Sequence, residues 1–248
     1  MWLCGFFADG RRRELILDSS NKQQERAQAS LPQKWAVWLA VAGDLRFLSH
    51  HDMMRAIERQ AVRARLPLRY SQGFNPRPAL SLVLPRPVGV ASLEDLLAIT
   101  LDAPLETAEL LARLATTSPS GLTPHRALLL APGVRPLARL ADFELPLSPA
   151  QADTVGLRVR ELAAQSAWPM RRVTGDESLD DPRAGKPIDL RPLVRNLVVE
   201  DNRLRLTLVP LNQAWARPAE ILRMLNLDER ADLARMVRTH VDYGVKPE

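Results

Sequence analysis

Trp35-Ala-Val-Trp-Leu-Ala-Val-Ala42, closed by Gly43-Asp44 and followed by Ser49-His50-His51-Asp52, sets the layout of the whole chain. The first eight residues form an apolar run of strand length ended by a turn signal, which predicts a buried strand. Ser49 with Asp52 three residues on is a variant of the capping box, offering a side-chain oxygen to the first free amides of a helix. From His50 to Arg65 the apolar Met54, Ile57, Ala61 and Ala64 keep helical spacing, while Arg55, Arg59 and Arg63 recur every fourth residue on another face. Leu66-Pro67 ends that helix, because proline disfavours helical geometry at the residue before it.

Working outward, Leu80 to Leu84 and Glu94 to Leu101 read as strands, Leu105 to Thr116 as an amphipathic helix and Ala127 to Leu130 as a short fourth strand. Strand, helix, strand, strand, helix, strand is the βαββαβ unit, two helices over one face of an antiparallel sheet. A weaker version restarts after Pro136. Asp142 to Leu147 is extended, Pro149 to Ala164 helical, Thr174 to Lys186 a polar loop, and Leu193 to Val199 with Leu204 to Val209 a hairpin. Arg217 to Leu225 is helical and Ala234 to Val241 a last strand. The expected fold is α+β with two ferredoxin-like units, each an antiparallel sheet covered by helices on one face. Residues 1–33 are a poorly ordered tail, 34–135 the first unit and 136–248 the second.

The 248 residues carry 34 Lys and Arg against 29 Asp and Glu, a net charge of +5 and a pI near 10.0. Between Arg46 and Arg86 stand eight arginines, no lysine and two acids, Asp52 and Glu58, a local balance of +6 that leaves the remainder nearly neutral. A concentrated positive field beside a Gly/Pro turn points to a polyanion or an acidic protein surface. Aromatics at 5% argue against a platform that stacks many bases. The single cysteine, Cys4, excludes an internal disulfide and any iron–sulfur or Cys-based zinc site built from this chain alone. His50, His51, His125 and His240 show no metal-ligand spacing. Met1 to Phe7 is too short for a signal-peptide core and no run reaches the roughly 18 apolar residues of a membrane span, so a cytoplasmic location and no membrane partner are expected.

Each candidate residue has a structural and a functional reading. Ser49 is a helix cap or a nucleophile, and Asp52 supports the first turn against the helix dipole. His50 and His51 sit where an anion would favour the imidazolium. The arginine row is either a solvated face or a docking row for phosphate or carboxylate, whose oxygens match the guanidinium fork. In Tyr70-Ser71-Gln-Gly73-Phe74-Asn75-Pro-Arg77-Pro78, Gly73 permits a positive φ, the prolines restrict Asn75 and Arg77, and Phe74 is expected to anchor the loop. Glu94 either starts a strand or pairs with an arginine of the row.

Gly43-Asp-Leu-Arg46-Phe-Leu-Ser-His-His-Asp52, the arginine row, Leu66-Pro67, Tyr70 through Pro78, Leu84-Pro85, Gly89, Ser92 and Glu94 resemble one bacterial family, the radical-SAM-linked domain of unknown function DUF2344. The likeness is dense from Lys34 to Leu101 and thin afterwards. His51 stands where the family usually has leucine, Val62 where a second arginine is common, and Arg65 where glycine is common. The resemblance implies an accessory module for a radical SAM protein encoded separately, since this chain lacks the three-cysteine motif for a cluster, and no cofactor of its own. On this reading Arg46, Arg55, Arg59, Arg63 and Arg77 contact an anion, RNA (tRNA or rRNA) foremost, while Ser49, His50, Tyr70 and Asn75 give directional hydrogen bonds. Asp52, Ser71, Gly73, Phe74 and Glu94 complete the expected site. The competing expectations are a metal-independent RNA-processing endonuclease using a histidine base, and a pure protein-interaction adaptor.

Overall fold

In the computed structural model, which describes residues 32–172 and 185–245, β1 (Gln33–Val41) is buried on both faces. Trp35, Val37, Leu39 and Val41 enter one core, and Ala36 and Trp38 another. That explains an unbroken apolar run where a half-exposed strand would alternate. A 3-10 turn over Gly43–Phe47 leads to α1 (His50–Arg63), capped by Ser49, whose Oγ accepts the Asp52 amide at 3.1 Å. Met53, Ile57 and Ala61 of α1 are buried against β1. The helix ends in a Schellman turn: Leu66 N–H reaches the Ala61 carbonyl at 3.2 Å and Arg65 N–H the Val62 carbonyl at 3.0 Å, with Arg65 at φ 51°.

β2 (Leu80–Leu82), β3 (Ala91–Leu101), α2 (Thr107–Thr117) and β4 (Leu122–Leu129) complete the first half. The fourth strand starts five residues before the sequence expectation, because β4 lies on the sheet edge, where Pro124 is tolerated. The second half runs β5 (Leu140–Pro146), α3 (Pro149–Ala163), β6 (Pro169–Arg172), β7 (Lys186–Asp189), β8 (Val194–Glu200), β9 (Arg203–Leu208), α4 (Pro218–Met224), α5 (Glu229–Leu233) and β10 (Val237–Asp242). Ser148 and Gln151 form a reciprocal capping box with Pro149 in the first turn of α3. Asp201 and Asn202, both with positive φ, make the tight β8–β9 turn. The β6–β7 pair and α5 had no clear sequence signal. The expected loop Thr174 to Lys186 and tail 1–33 lie almost wholly outside the described residues.

The α+β class is as expected, but the expectation of two separate sheets is corrected. One mixed eight-stranded sheet runs β4-β1-β3-β10-β5-β9-β8, with β2 also on β3, and β6–β7 form a separate hairpin. β2 covers β3 only at Leu97 to Ile99, which leaves the start of that eleven-residue strand unpaired. β10 fills the vacancy in parallel, Val237 opposite Ala91 and Arg238 opposite Ser92, while its other edge pairs with β5. Every other strand pairing is antiparallel. Arg238 shares its face with Phe143, and its partners Ser92 and Asp95 share theirs with Val41 and Leu39, so both halves carry their helices on one side of the sheet.

Candidate functional site

The N-cap group is structural in its bonding. Ser49 Oγ donates to Asp52 Oδ2 at 2.7 Å as well as accepting that residue's amide, so its hydroxyl is committed to the helix end. His50 and His51 are exposed, with ring centroids 5.9 Å apart and, among the described residues, no carboxylate bonded to either. Arg55 faces Asp52 at 3.5 Å in the open, a pair worth under about 1 kcal/mol. Arg59 and Arg63 are exposed and, among the described residues, make no ion pair or hydrogen bond through their guanidinium groups. Arg46 is half-buried: its side chain lies 4.8 Å from the Phe47 ring centroid, its Nε has no partner, and its carbonyl accepts Arg86 Nη1 and the Gly89 amide, each at 2.8 Å.

The Tyr70–Pro78 loop is a stapled hairpin. Tyr70 bridges Pro78, Ser71 N–H donates to the Arg77 carbonyl at 2.9 Å, and Arg77 N–H donates to Ser71 Oγ at 3.0 Å. Gly73 holds φ 140°, which a side chain would strain although open space surrounds it. Asn75 and the Arg77 guanidinium are exposed, and the latter has no partner. Phe74 does not anchor the loop: at 108% relative exposure it projects from the tip. The loop base is fixed by Arg69 N–H on the Thr100 carbonyl, whereas Ser49 follows the strand end that pairs with Ser92. Eight residues of β3 separate these ends, roughly 26 Å at strand rise. The expected residues therefore lie along α1 from cap to loop, rather than around one compact cavity.

Glu94 belongs elsewhere. β3 directs its neighbour Asp95 toward the helices and Glu94 to the opposite face, so pairing with the α1 row is geometrically closed. Its carboxylate meets His240 Nδ1 at 2.8 Å and Arg126 Nη2 at 3.6 Å, and Arg126 stacks 3.9 Å from the Trp38 ring centroid. Tyr243 Oη donates to the Glu94 carbonyl at 2.8 Å, and burial pushes its phenol well above the ordinary range. His240 and Arg126 were missed in the sequence, since they come from strands far apart in the chain.

A buried ionic cluster was missed as well. Asp95 accepts Arg238 Nη2 at 2.6 Å and lies 3.6 Å from Arg86 Nε, all three side chains no more than 4% exposed. The 3.6 Å contact is Coulombic only, and Arg86 Nε has no hydrogen bond. Arg86 is held instead by backbone carbonyls of Arg46, Pro87 and Val90. Burial pushes its guanidinium below the ordinary value, Asp95 opposes that, and Arg238 adds to it. The cluster ties the loop before β3, β3 itself and β10, which makes it the joint between the halves. Its sequence signal was an acid, Asp95, inside an apolar strand.

With that geometry in place, residues 34–230 match a family described as "Uncharacterized protein conserved in bacteria (DUF2344)". The chain belongs to the DUF2344 family. Within this DUF2344 chain the arginine row, the stapled loop and Glu94 fall inside the matched span, while Arg238 and His240 fall beyond it. No curated protein matches the chain. A solved structure described as "Crystal Structure of an Unknown Protein from Galdieria sulphuraria" is 14% identical, covering 79% of this chain and 91% of that one, at a TM-score of 0.24, too low to inform the fold. Among the described residues no three His, Cys, Asp or Glu side chains gather to hold a metal ion, and no helix is long and apolar enough to cross a membrane. A groove of about 520 Å³ lies where the halves meet, lined by Phe47, Val88, Gly89, Glu229, Arg230 and Leu233.

Proposed function

We propose that this chain is a non-catalytic accessory module that holds RNA, through phosphate contacts, for a radical SAM enzyme carried on a separate polypeptide. The observation that carries the reading is the row Arg59, Arg63 and Arg77: three exposed guanidinium groups that have no carboxylate partner among the described residues, on a helix and a stapled loop. A guanidinium left free in a folded protein retains its full capacity for a bidentate phosphate contact, and rigid mounting lowers the ordering cost of making it. Phosphate contacts position RNA without reading its sequence. The radical SAM partner is supported by the resemblance of Arg46 through Pro78 to domains linked with such enzymes. Each half also reads as a ferredoxin-like unit, supported by the antiparallel orders β4-β1-β3-β2 and β10-β5-β9-β8.

The test is the salt dependence of RNA binding. With Arg59, Arg63 and Arg77 all changed to alanine, the slope of log K against log salt flattens by about 2, from roughly 0.7 per phosphate contact on a single strand. An unchanged slope sinks the reading.

A further inference from the structure

Phe74 is the most exposed large apolar side chain of the described residues, and nothing in the fold explains it. A singly exposed apolar residue is ordinary on a protein surface. What distinguishes Phe74 is a ring wholly in solvent on a braced tip with the exposed Arg77 three residues on, the aromatic-plus-cation pairing that binds single-stranded nucleic acid. The tip is rigid by bonding: the Tyr70–Pro78 bridge and the reciprocal Ser71–Arg77 bonds close its base, and Gly73 supplies the left-handed φ that turns the chain just before Phe74. Arg77, three residues on and set between Pro76 and Pro78, presents a free guanidinium. Arg63 and Arg65, at the end of α1 that leads into this loop, are likewise exposed and without a carboxylate. Of the nearby basic groups Arg69 has an acid, Asp102 at 3.6 Å, and that pair is solvent-exposed.

We infer that Phe74 stacks on one unpaired RNA base while Arg77 holds the adjoining phosphate, so that the loop selects single-stranded over duplex RNA. This rests on the RNA-binding reading above. The charge around the tip decides between partners: a protein pocket for a lone phenylalanine needs no cations at its rim, whereas a nucleotide brings its own phosphate. One displayed aromatic accounts for one base, in keeping with a chain poor in aromatic residues. The base must be unpaired, because a duplex hides its base faces in the stack.

Binding of an oligouridine, and of the same strand annealed to oligoadenylate, is measured by fluorescence anisotropy for the full chain. Phe74→Leu weakens single-strand binding on the order of tenfold and leaves duplex binding unchanged, and Phe74→Trp restores or improves the single-strand affinity. Since Phe74 packs against nothing, neither variant disturbs folding, and the unfolding midpoint verifies this. Equal losses on both RNAs, or no loss on either, overturn the inference, the latter in favour of a protein-binding tip. Retention of the arginine-dependent salt slope alongside indifference to Phe74 removes this inference alone. Failure of the wild-type chain to bind either RNA removes the parent reading too.

Discussion

Arginines on α1 and on the sheet joint differ in every respect but residue type. Arg59 and Arg63 stand in solvent without an acid, whereas Arg86 and Arg238 are sealed around Asp95. The second half resembles the joint more than the helix: Arg172 grips Glu220 with both forks, Arg223 grips Glu229, and Arg205 lies between Glu144 and Glu200. A basic composition therefore says little until each guanidinium is matched to its acid. Freedom alone is no site either, since Arg195 on β8 also lacks a carboxylate. What sets α1 apart is that its free groups stand one turn apart on a helix that leads into the stapled loop.

The comparison breaks most visibly at Asp95. Asp95→Asn leaves two buried guanidinium groups uncompensated, and removal of one partner from a buried ion cluster costs about 3–5 kcal/mol. Chemical unfolding should register that loss across the whole sheet, because the cluster joins β3 to β10. A loss below about 1 kcal/mol, the ordinary value for an exposed pair, would mean the joint is solvated and the contrast false. Next in size is Glu220→Gln. Its carboxylate accepts Arg172 Nε and Nη2 at 2.6 and 2.7 Å and the Arg217 amide at 2.8 Å, and the bonds from Arg172, with the carboxylate's charge, hold that guanidinium above its ordinary pKa. Loss of the charge-assisted bonds should cost about 2 kcal/mol. A neutral result would place Arg172 with the free arginines.

Much of the fold was legible because local signals agree with it. The apolar run at Trp35, the Ser49 cap, Leu66-Pro67 and the Pro149 helix start each fix an element end by short-range chemistry, and those elements form within a few residues of expectation. The joining of the halves was not legible, since it depends on two backbone pairs between Ala91-Ser92 and Val237-Arg238, about 146 residues apart by subtraction of their numbers, and no periodicity encodes a partner so distant. The candidate residues show the same division. The Ser49–Asp52 cap and the positive φ at Gly73 were readable from the sequence, but the bonds that staple the loop were not. The side of the sheet that Glu94 faces is fixed by the β3 register, and its partners Arg126 and His240 come from distant strands.

Arg65 gives the smallest and most pointed test. It occupies the left-handed residue that ends α1, with φ 51°, a position where glycine carries no penalty and a side chain costs about 1 kcal/mol. Its carbonyl accepts Arg113 Nη1 at 3.2 Å, a bond that glycine would keep, and its own guanidinium has no acid. Arg65→Gly should therefore stabilise the fold by about 0.5 kcal/mol, after the greater freedom of glycine in the unfolded chain is subtracted. Were the guanidinium a structural group like Arg86, stability would fall instead. If stability rises while the salt slope for RNA flattens by about one contact, the charge at Arg65 is kept at the expense of the helix end it terminates, which is the signature of a binding residue and not of a solvated surface.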